Sequence, residues 1–237
     1  MRFQTDLVPA RLIRRYKRFL ADCTLSGGRT VTAHCANPGS MIGLAEPGTK
    51  IWLEPNSDPK KKLKFGWRLV DHENGHFTGV DTSLPNRIIR HALEAQAIEA
   101  LASYTDVRAE VPYGAGSRVD FLLRGDKLPN AYVEVKSVTL SRAPGLAEFP
   151  DSTTKRGTKH LEELASMAAQ GHRAILLYLV QRTDCTEFTI AADIDAQYAA
   201  TQRETQRAGV ETLCLGTHIS PQEVVLSSPL ALRPPTR

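Results

Sequence analysis

Cysteine is scarce in this chain and carries no pattern. Cys23, Cys35, Cys185 and Cys214 are the four in 237 residues. None belongs to a CxxC pair, so neither a zinc site nor a small disulfide scaffold is encoded, and buried free thiols are expected. Long apolar runs are missing as well. The longest, AILLYLV at residues 174–180, is far shorter than the roughly 20 residues of a membrane helix. The opening MRFQTDLVPARLIRRYKR has no apolar h-region and carries Asp6, so no secretory signal is read and a cytoplasmic protein without a membrane partner is expected. No internal repeat or low-complexity segment interrupts the chain. With 41% hydrophobic and 24% charged residues, the composition is that of a globular protein of one or two domains with chain enough for a real core.

Charge of one sign is unevenly spread. Residues 1–83 hold 13 Lys/Arg against 8 Asp/Glu, a net +5, whereas residues 84–237 hold 17 against 18, a net −1, within a total of +4. A basic first part points to a polyanionic partner.

That first part reads as strands. Residues 15–25 (RYKRFLADCTL) and 29–35 (RTVTAHC) flank Ser26-Gly27-Gly28, a hairpin signal. Residues 49–55 follow a Pro-Gly turn, and residues 66–70 and 76–81 flank Asn74-Gly75. About five short strands with frequent turns predict a small OB-like β-barrel over 1–83. The pattern changes at Leu84-Pro85-Asn86. Residues 87–101 place Ile88, Ile89, Ala92, Leu93, Ala97, Ile98 and Leu101 at helical spacing, with Asn86 as N-cap. A strand (residues 106–113), a hairpin (117–139), a loop through Pro144-Gly145 to Pro150 and a helix at 156–170 ending at Gly171 follow. The continuously apolar strand 172–182 requires a sheet covered on both faces. A third helix at about 195–208, a strand ETLCLG and a frayed tail ALRPPTR complete an α+β chain. Its second domain, 84–237, has an αβββαβ core with a mixed sheet.

Within SRVDFLLRGDKLPNAYVEVKSVT, Asp120 lies in one strand and Glu134 and Lys136 in the next. Alternation puts Glu134 and Lys136 on one face, and hairpin pairing brings Asp120 beside them. Two converging carboxylates persist when a cation separates them. Mg²⁺, for which Mn²⁺ can substitute, suits oxygen ligands and keeps waters for chemistry. Lys136 can orient an attacking water or offset charge on a phosphate. The competing reading is an ordinary Lys–carboxylate pair on a half-exposed sheet. HENGH (residues 72–76) matches HExxH by letter, but Asn-Gly makes it a turn rather than a zinc helix.

Two basic clusters lie in the first domain, Arg14, Arg15, Lys17 and Arg18, and Lys60, Lys61, Lys62 and Lys64, interleaved with Tyr16, Phe19 and Phe65. Such interleaving suits nucleic acid, phosphates by charge and bases by stacking; a solvated, lysine-guarded sheet edge is the alternative. Lys155, Arg156, Lys159 and His160 begin a helix whose N-terminus could take phosphate, or they form a solvated first turn, with His160 a structural histidine.

RYKRFLADC, AHCANPGSM, SRVDFLL, YVEVKSVTL, FPDSTTKRGTKHLEEL and GHRAILLYLVQR closely resemble, in the same order and over nearly the whole chain, the bacterial sugar fermentation stimulation protein A family. The resemblance implies an OB-like first domain, a second domain of the PD-(D/E)xK nuclease fold, DNA binding and a regulatory role in sugar (maltose) metabolism. The nuclease pattern maps onto Asp120, Glu134 and Lys136, with the main chain of Val135 as an extra metal ligand. Two positions depart from the family pattern: Pro38 replaces a threonine, and His91 stands where many members carry a glutamate. Some nucleases of this fold draw an extra acid from that first helix. Three readings remain open on the residues alone: a Mg²⁺-dependent nuclease, a non-catalytic DNA-binding regulator, and an RNA-processing nuclease. A homo-oligomer is compatible with each.

Overall fold

The structure, a computed structural model, describes residues 1–114 and 116–234. Six strands come first: β1 (Val8–Tyr16), β2 (Leu20–Leu25), β3 (Thr30–Cys35), β4 (Lys50–Pro55), β5 (Phe65–Asp71) and β6 (Phe77–Gly79). Their order is β3-β2-β1-β4-β5-β6, and a parallel contact of β3 on β5, His34 opposite Gly66, closes the first five into an OB-type barrel. β1 must bend to serve two partners. Its register with β2 shifts between Leu12 and Arg14, a bulge that leaves Ile13 exposed. Leu12, Ala33, Ile51, Leu53 and Trp67 fill the interior.

Residues 15–25 do not form one strand, as the sequence led us to expect. Lys17 and Arg18 have φ of 49° and 63° and turn β1 into β2. Left-handed hairpin pairs are usually signalled by Asn or Gly, and Lys-Arg gives no such signal. HENGH is the β5–β6 turn, closed by the His72 N–H on the His76 carbonyl at 3.0 Å, so its histidines share no helix.

The second part begins with α1 (Leu84–Glu94). Its N-cap is Ser83, with Pro85 in the first turn where a missing N–H costs nothing, so Asn86 lies inside the helix rather than capping it. The helix stops at Glu94 instead of running to Leu101, because Gln96 turns left-handed (φ 53°) and Glu99–Leu101 form a separate 3-10 turn. Then come β7 (Asp106–Tyr113), β8 (Ser117–Arg124), β9 (Ala131–Val138), β10 (Leu140–Ala143), β11 (Gly145–Phe149), α2 (Lys155–Ala169), β12 (Arg173–Val180), β13 (Cys185–Ile190), α3 (Ala196–Arg207), β14 (Val210–Ile219), β15 (Val224–Pro229) and β16 (Ala231–Leu232). The main sheet runs β15-β14-β12-β9-β8-β7, parallel at its centre and antiparallel at both edges. It contains the αβββαβ core. The stretch expected as a loop before Pro150 is the β10–β11 hairpin, which belongs to a small sheet with β13 and β16. GLAEF is too short and too poor in β-branched residues to announce a strand. Of the tail, Ala231 and Leu232 pair with β13; residues 235–237 lie outside the described residues.

β12 shows why its whole run is apolar. Ile175, Leu177 and Leu179 pack toward α1, while Leu176, Tyr178 and Val180 pack beneath α2 and α3. The α1-side core also takes in Leu7 and Leu69, so barrel and sheet share one packed layer. Residues 1–3 leave the barrel altogether: the Val224 N–H binds the Met1 carbonyl at 2.9 Å. All four cysteines are buried and free. Among the described residues no helix is long and apolar enough to cross a membrane.

Candidate functional site

The pairing of β8 on β9 sets Phe121 opposite Val133. Phe121, Val133 and Val135 join the α1-side core, which leaves Glu134 and Lys136 on the α2 side against His160, while Asp120 reaches Asn86 of α1. At Asp120 the strands part. Its Oδ2 accepts the Val135 N–H at 2.7 Å, so a carboxylate stands where a ladder carbonyl would otherwise be. Its Oδ1 accepts from Asn86 Nδ2 of α1 at 2.6 Å. Each oxygen keeps a lone pair. Burial and the negative charge of Glu134 push the Asp120 carboxyl up to about 6, against the bonds from Val135 and Asn86.

Glu134 is 3% exposed. Its Oε1 accepts from Lys136 Nζ at 2.8 Å and from His160 Nδ1. Burial alone would raise this carboxyl, but the His160 hydrogen bond and the Lys136 ammonium outweigh it, and it titrates below the ordinary glutamate value. His160 Nε2 accepts from Arg156 Nε at 3.3 Å, which assigns the ring proton to Nδ1. The other oxygen, Glu134 Oε2, is buried with no hydrogen-bond partner.

α2 supplies more than the sequence indicated. His160, grouped there with phosphate contacts, is 5% exposed and stands against Glu134 instead of on the surface. Glu163, one turn later, is 7% exposed, and among the described residues neither of its carboxylate oxygens has a hydrogen-bond partner. Gly114 lies against it: a Cβ there would meet Glu163 Cγ at 3.0 Å. The Tyr113 hydroxyl is also buried and without a partner. Its pKa is driven far up by burial and then by the charges of Glu134, Glu163 and Asp120, so three carboxylates act on one hydroxyl. Sequence reading missed Tyr113 and Glu163. The signal was a glutamate at i+3 from His160 on the apolar face of α2, where a carboxylate has no ordinary business.

The donor set suits a hard cation. Glu134 Oε2 is an orphaned buried acceptor among the described residues, and the neighbouring Asp120 carboxyl is pushed up by burial and by the charge of Glu134. Among the described residues no three His, Cys, Asp or Glu side chains converge as a direct ligand set. α1 offers no acid toward the site: His91 and Glu94 are exposed, and Asn86 is the side chain that reaches Asp120.

The basic residues divide by how they are used. Arg15 spends its guanidinium on carbonyls, Nη2 on Asn37 at 2.7 Å and Gly39 at 3.0 Å and Nε on Arg18 at 3.0 Å. Arg14 pairs with Asp22 and lies over the Tyr16 ring. Lys64 Nζ ties back to its own loop at the Asp58 carbonyl. Lys17, Arg18, Lys60, Lys61, Lys62, Lys155, Arg156 and Lys159 have exposed side chains. Phe19, 44% exposed, stacks on His34 with ring centroids 6.3 Å apart.

The Arg15-braced loop also joins the two halves. Asp151, just before α2, accepts the Met41 N–H at 3.1 Å, and the Ser40 hydroxyl donates to its carbonyl at 2.5 Å. Gly39 is needed there, because a Cβ would run into Asp151 Oδ2. Pro38 belongs to this loop. Beside it opens a cavity of 290 Å³ lined by Asn37, Gly39, Ser137, Thr139, Asp151 and Thr154. Ser137 follows Lys136, so the cavity runs up to the charged strand.

Two family profiles match the chain: one described as the SfsA N-terminal OB domain over residues 13–80, the other as the sugar fermentation stimulation protein RE domain over residues 83–223. A sugar fermentation stimulation protein homolog from Roseobacter denitrificans is 70% identical over 234 residues, covering 98% of this chain and all of that one. A homolog from Ruegeria pomeroyi is 73% identical over 230 residues, with 97% of this chain and all of the relative covered. The solved structure of Pyrococcus furiosus SfsA in complex with Ca²⁺ superposes with a TM-score of 0.87 at 26% identity, covering 98% of each chain. With both domains matched and the charged hairpin inside the second match, this chain belongs to the sugar fermentation stimulation protein family.

Proposed function

We propose that this protein binds DNA across its barrel and the start of α2, and that Asp120 and Glu134 hold a divalent cation for phosphodiester cleavage. The observation that carries this reading is the orphaned Glu134 Oε2 beside Asp120: a buried bare carboxylate oxygen is costly unless a ligand satisfies it. The cation is Mg²⁺, with Mn²⁺ able to substitute, and Asp120 and Glu134 would hold it with the Val135 carbonyl oxygen as a further ligand. The Pyrococcus furiosus relative holds Ca²⁺, a hard ion of the same kind.

When bound, the cation supplies Lewis-acid stabilisation of a phosphate oxygen and a more acidic water. The chain's own residues do the rest. Lys136, held by its hydrogen bond to Glu134, presents an ammonium where negative charge develops on phosphate and orients water for attack. Lys155 and Arg156 stand at the N-terminal turn of α2 and bind neighbouring phosphates. Lys17, Arg18, Lys61 and Lys62 grip the backbone on the barrel, and the Phe19–His34 stack offers an aromatic face to an unpaired base.

One observation favours a second reading, a regulator that binds DNA without turning it over. Asn86 and the Val135 N–H each occupy one oxygen of Asp120, and α1 supplies an amide where some nucleases of this fold place an acid. In that reading the family's link to sugar fermentation reflects control of transcription. Incubation with duplex DNA, single-stranded DNA and structured RNA, in Mg²⁺, Mn²⁺ or EDTA, separates the readings. Cleavage of DNA only with metal, lost by at least about 100-fold in a folded Lys136→Ala variant, is expected. Salt-dependent binding without product would establish the regulator, and preferential cleavage of RNA would move the substrate to that polymer.

A further inference from the structure

Tyr113 and Glu163 are buried without hydrogen-bond partners, and nothing in the cation site described so far uses them. Tyr113 ends β7, two strands from β9 in the sheet, and stacks its ring on Tyr132 of β9 with centroids 5.9 Å apart, while Glu163 lies on the inner face of α2. The ion pair that Glu163 makes is a loose one. Lys159 Nζ is 3.6 Å from its Oε1, longer than a hydrogen bond, and the lysine side chain is half exposed. Nor does the backbone cap it, since both oxygens lack a hydrogen-bond partner. Gly114 meanwhile brings its main chain close against the side chain and narrows the directions in which Glu163 can lie.

We infer that Glu163 is the additional acid of the cation site, delivered by α2 instead of α1, and that it acts with Tyr113 on the water shell of the bound ion. This rests on the reading of Asp120 and Glu134 as cation ligands. Three groups without hydrogen bonds lie on this side of the site: Glu134 Oε2 and the Glu163 carboxylate as acceptors, and the Tyr113 hydroxyl as donor. Water bound to a divalent cation donates both of its hydrogens strongly, and it fits a pair of acceptors with one donor beside them. Direct ligation by Glu163 is disfavoured because no three acidic or histidine side chains converge among the described residues. A small ion that keeps several waters needs no such convergence.

The arrangement also accounts for a cost the fold would otherwise carry for nothing. Glu163 is 7% exposed, its ion pair to Lys159 is loose, and its charge and that of Glu134 both act on the Tyr113 hydroxyl, so a carboxylate is buried here at a cost that a cation's water would offset. Removing the Glu163 charge should therefore act in opposite directions on the apo protein and on the metal complex. A glutamate with a merely structural role would weaken both or neither.

The test is Mn²⁺ titration of the full chain by calorimetry, with thermal unfolding in EDTA and in Mn²⁺, on wild type, Glu163→Gln, Tyr113→Phe, Asp120→Asn and the exposed control Glu162→Gln. Glu163→Gln is expected to weaken Mn²⁺ binding at least about tenfold, as loss of an outer-sphere partner does, while raising Tm in EDTA by roughly 2–4 °C. Tyr113→Phe removes one hydroxyl without changing charge and should cost about fivefold in affinity, which keeps the inference testable if Glu163→Gln does not fold. Glu162→Gln should match wild type. If Asp120→Asn abolishes binding while Glu163→Gln and Tyr113→Phe bind like wild type, the role of α2 is refuted and the cation site stands. If wild type takes up no Mn²⁺, the cation reading itself falls and takes this inference with it.

Discussion

The outer surface of the barrel and the interior beneath α2 use charge in opposite ways. On the barrel, Arg11 with Glu73 and Arg14 with Asp22 form ion pairs whose basic partners are at least half exposed, so water screens them and they add little to stability. In the second domain the charges lie under α2. There Lys136, with a side chain 13% exposed, faces the buried Glu134 and the raised Asp120, while Glu163 has no hydrogen bond at all. A surface charge can be spent on any partner without consequence for the fold. A buried, under-compensated one costs free energy unless a proton neutralises it or a ligand completes it.

The same substitution made in both regions is the strongest way to break this contrast. Lys136→Met should destabilise the protein by up to about 3 kcal/mol, the low end for breaking a buried pair because the ammonium keeps some solvent. Lys17→Met should leave the urea midpoint unchanged. Equal midpoints for the two variants would remove the distinction between the regions.

A pH series gives the next largest effect. The folded Asp120 carboxyl titrates at about 6 against an ordinary value of 3.8. Its contribution to stability is therefore fully present below pH 4 and is lost as pH rises through 6. Asp120→Asn should be more stable than wild type at pH 7 by about 2–3 kcal/mol, and the advantage should vanish near pH 4. Chemical denaturation of both proteins in EDTA from pH 4 to 8 reads the difference. A gap that does not change with pH would mean that Asp120 is not held by burial and Glu134. Added Mg²⁺ should stabilise wild type above pH 6 and close the gap.

Arg15 offers a smaller test within the barrel. Because it braces Asn37 and Gly39, Arg15→Gln should cost roughly 1.5 kcal/mol of stability. It should barely change the salt dependence of DNA binding, unlike its exposed neighbours. The smallest effect on stability is expected for Lys17, Arg18, Lys61 and Lys62 changed together to Gln. Tm should hold while the slope of log K against log salt flattens by about 0.9 for each phosphate that is no longer neutralised. An unchanged slope would return these residues to ordinary solvated surface.

Much of this molecule could be read before its fold was seen. Apolar spacing gave the helix of Ile88, Ile89 and Leu93, and the unbroken run of β12 required the two-sided sheet that now buries it. Period-two alternation placed Glu134 and Lys136 on one face. Each miss has its own cause. Lys17 and Arg18 adopt left-handed conformations that their residue types do not signal, the β10–β11 hairpin has strands too short and too poor in β-branched residues to be read, and Asn86 is drawn into the helix where it meets Asp120. Basic residues looked alike in sequence, yet Arg15 is bound to carbonyls while Lys17 is exposed.

By itself, then, the sequence determined that this chain would form a barrel followed by an αβββαβ sheet with a charged hairpin at its heart, because periodicity and turn chemistry are local and survive without long-range contacts. Only the tertiary structure decided which charges are left without hydrogen bonds. Burial depends on what packs against a side chain, and for Tyr113, Glu134 and Glu163 that is set by α2 closing over β9, between residues up to 50 positions apart.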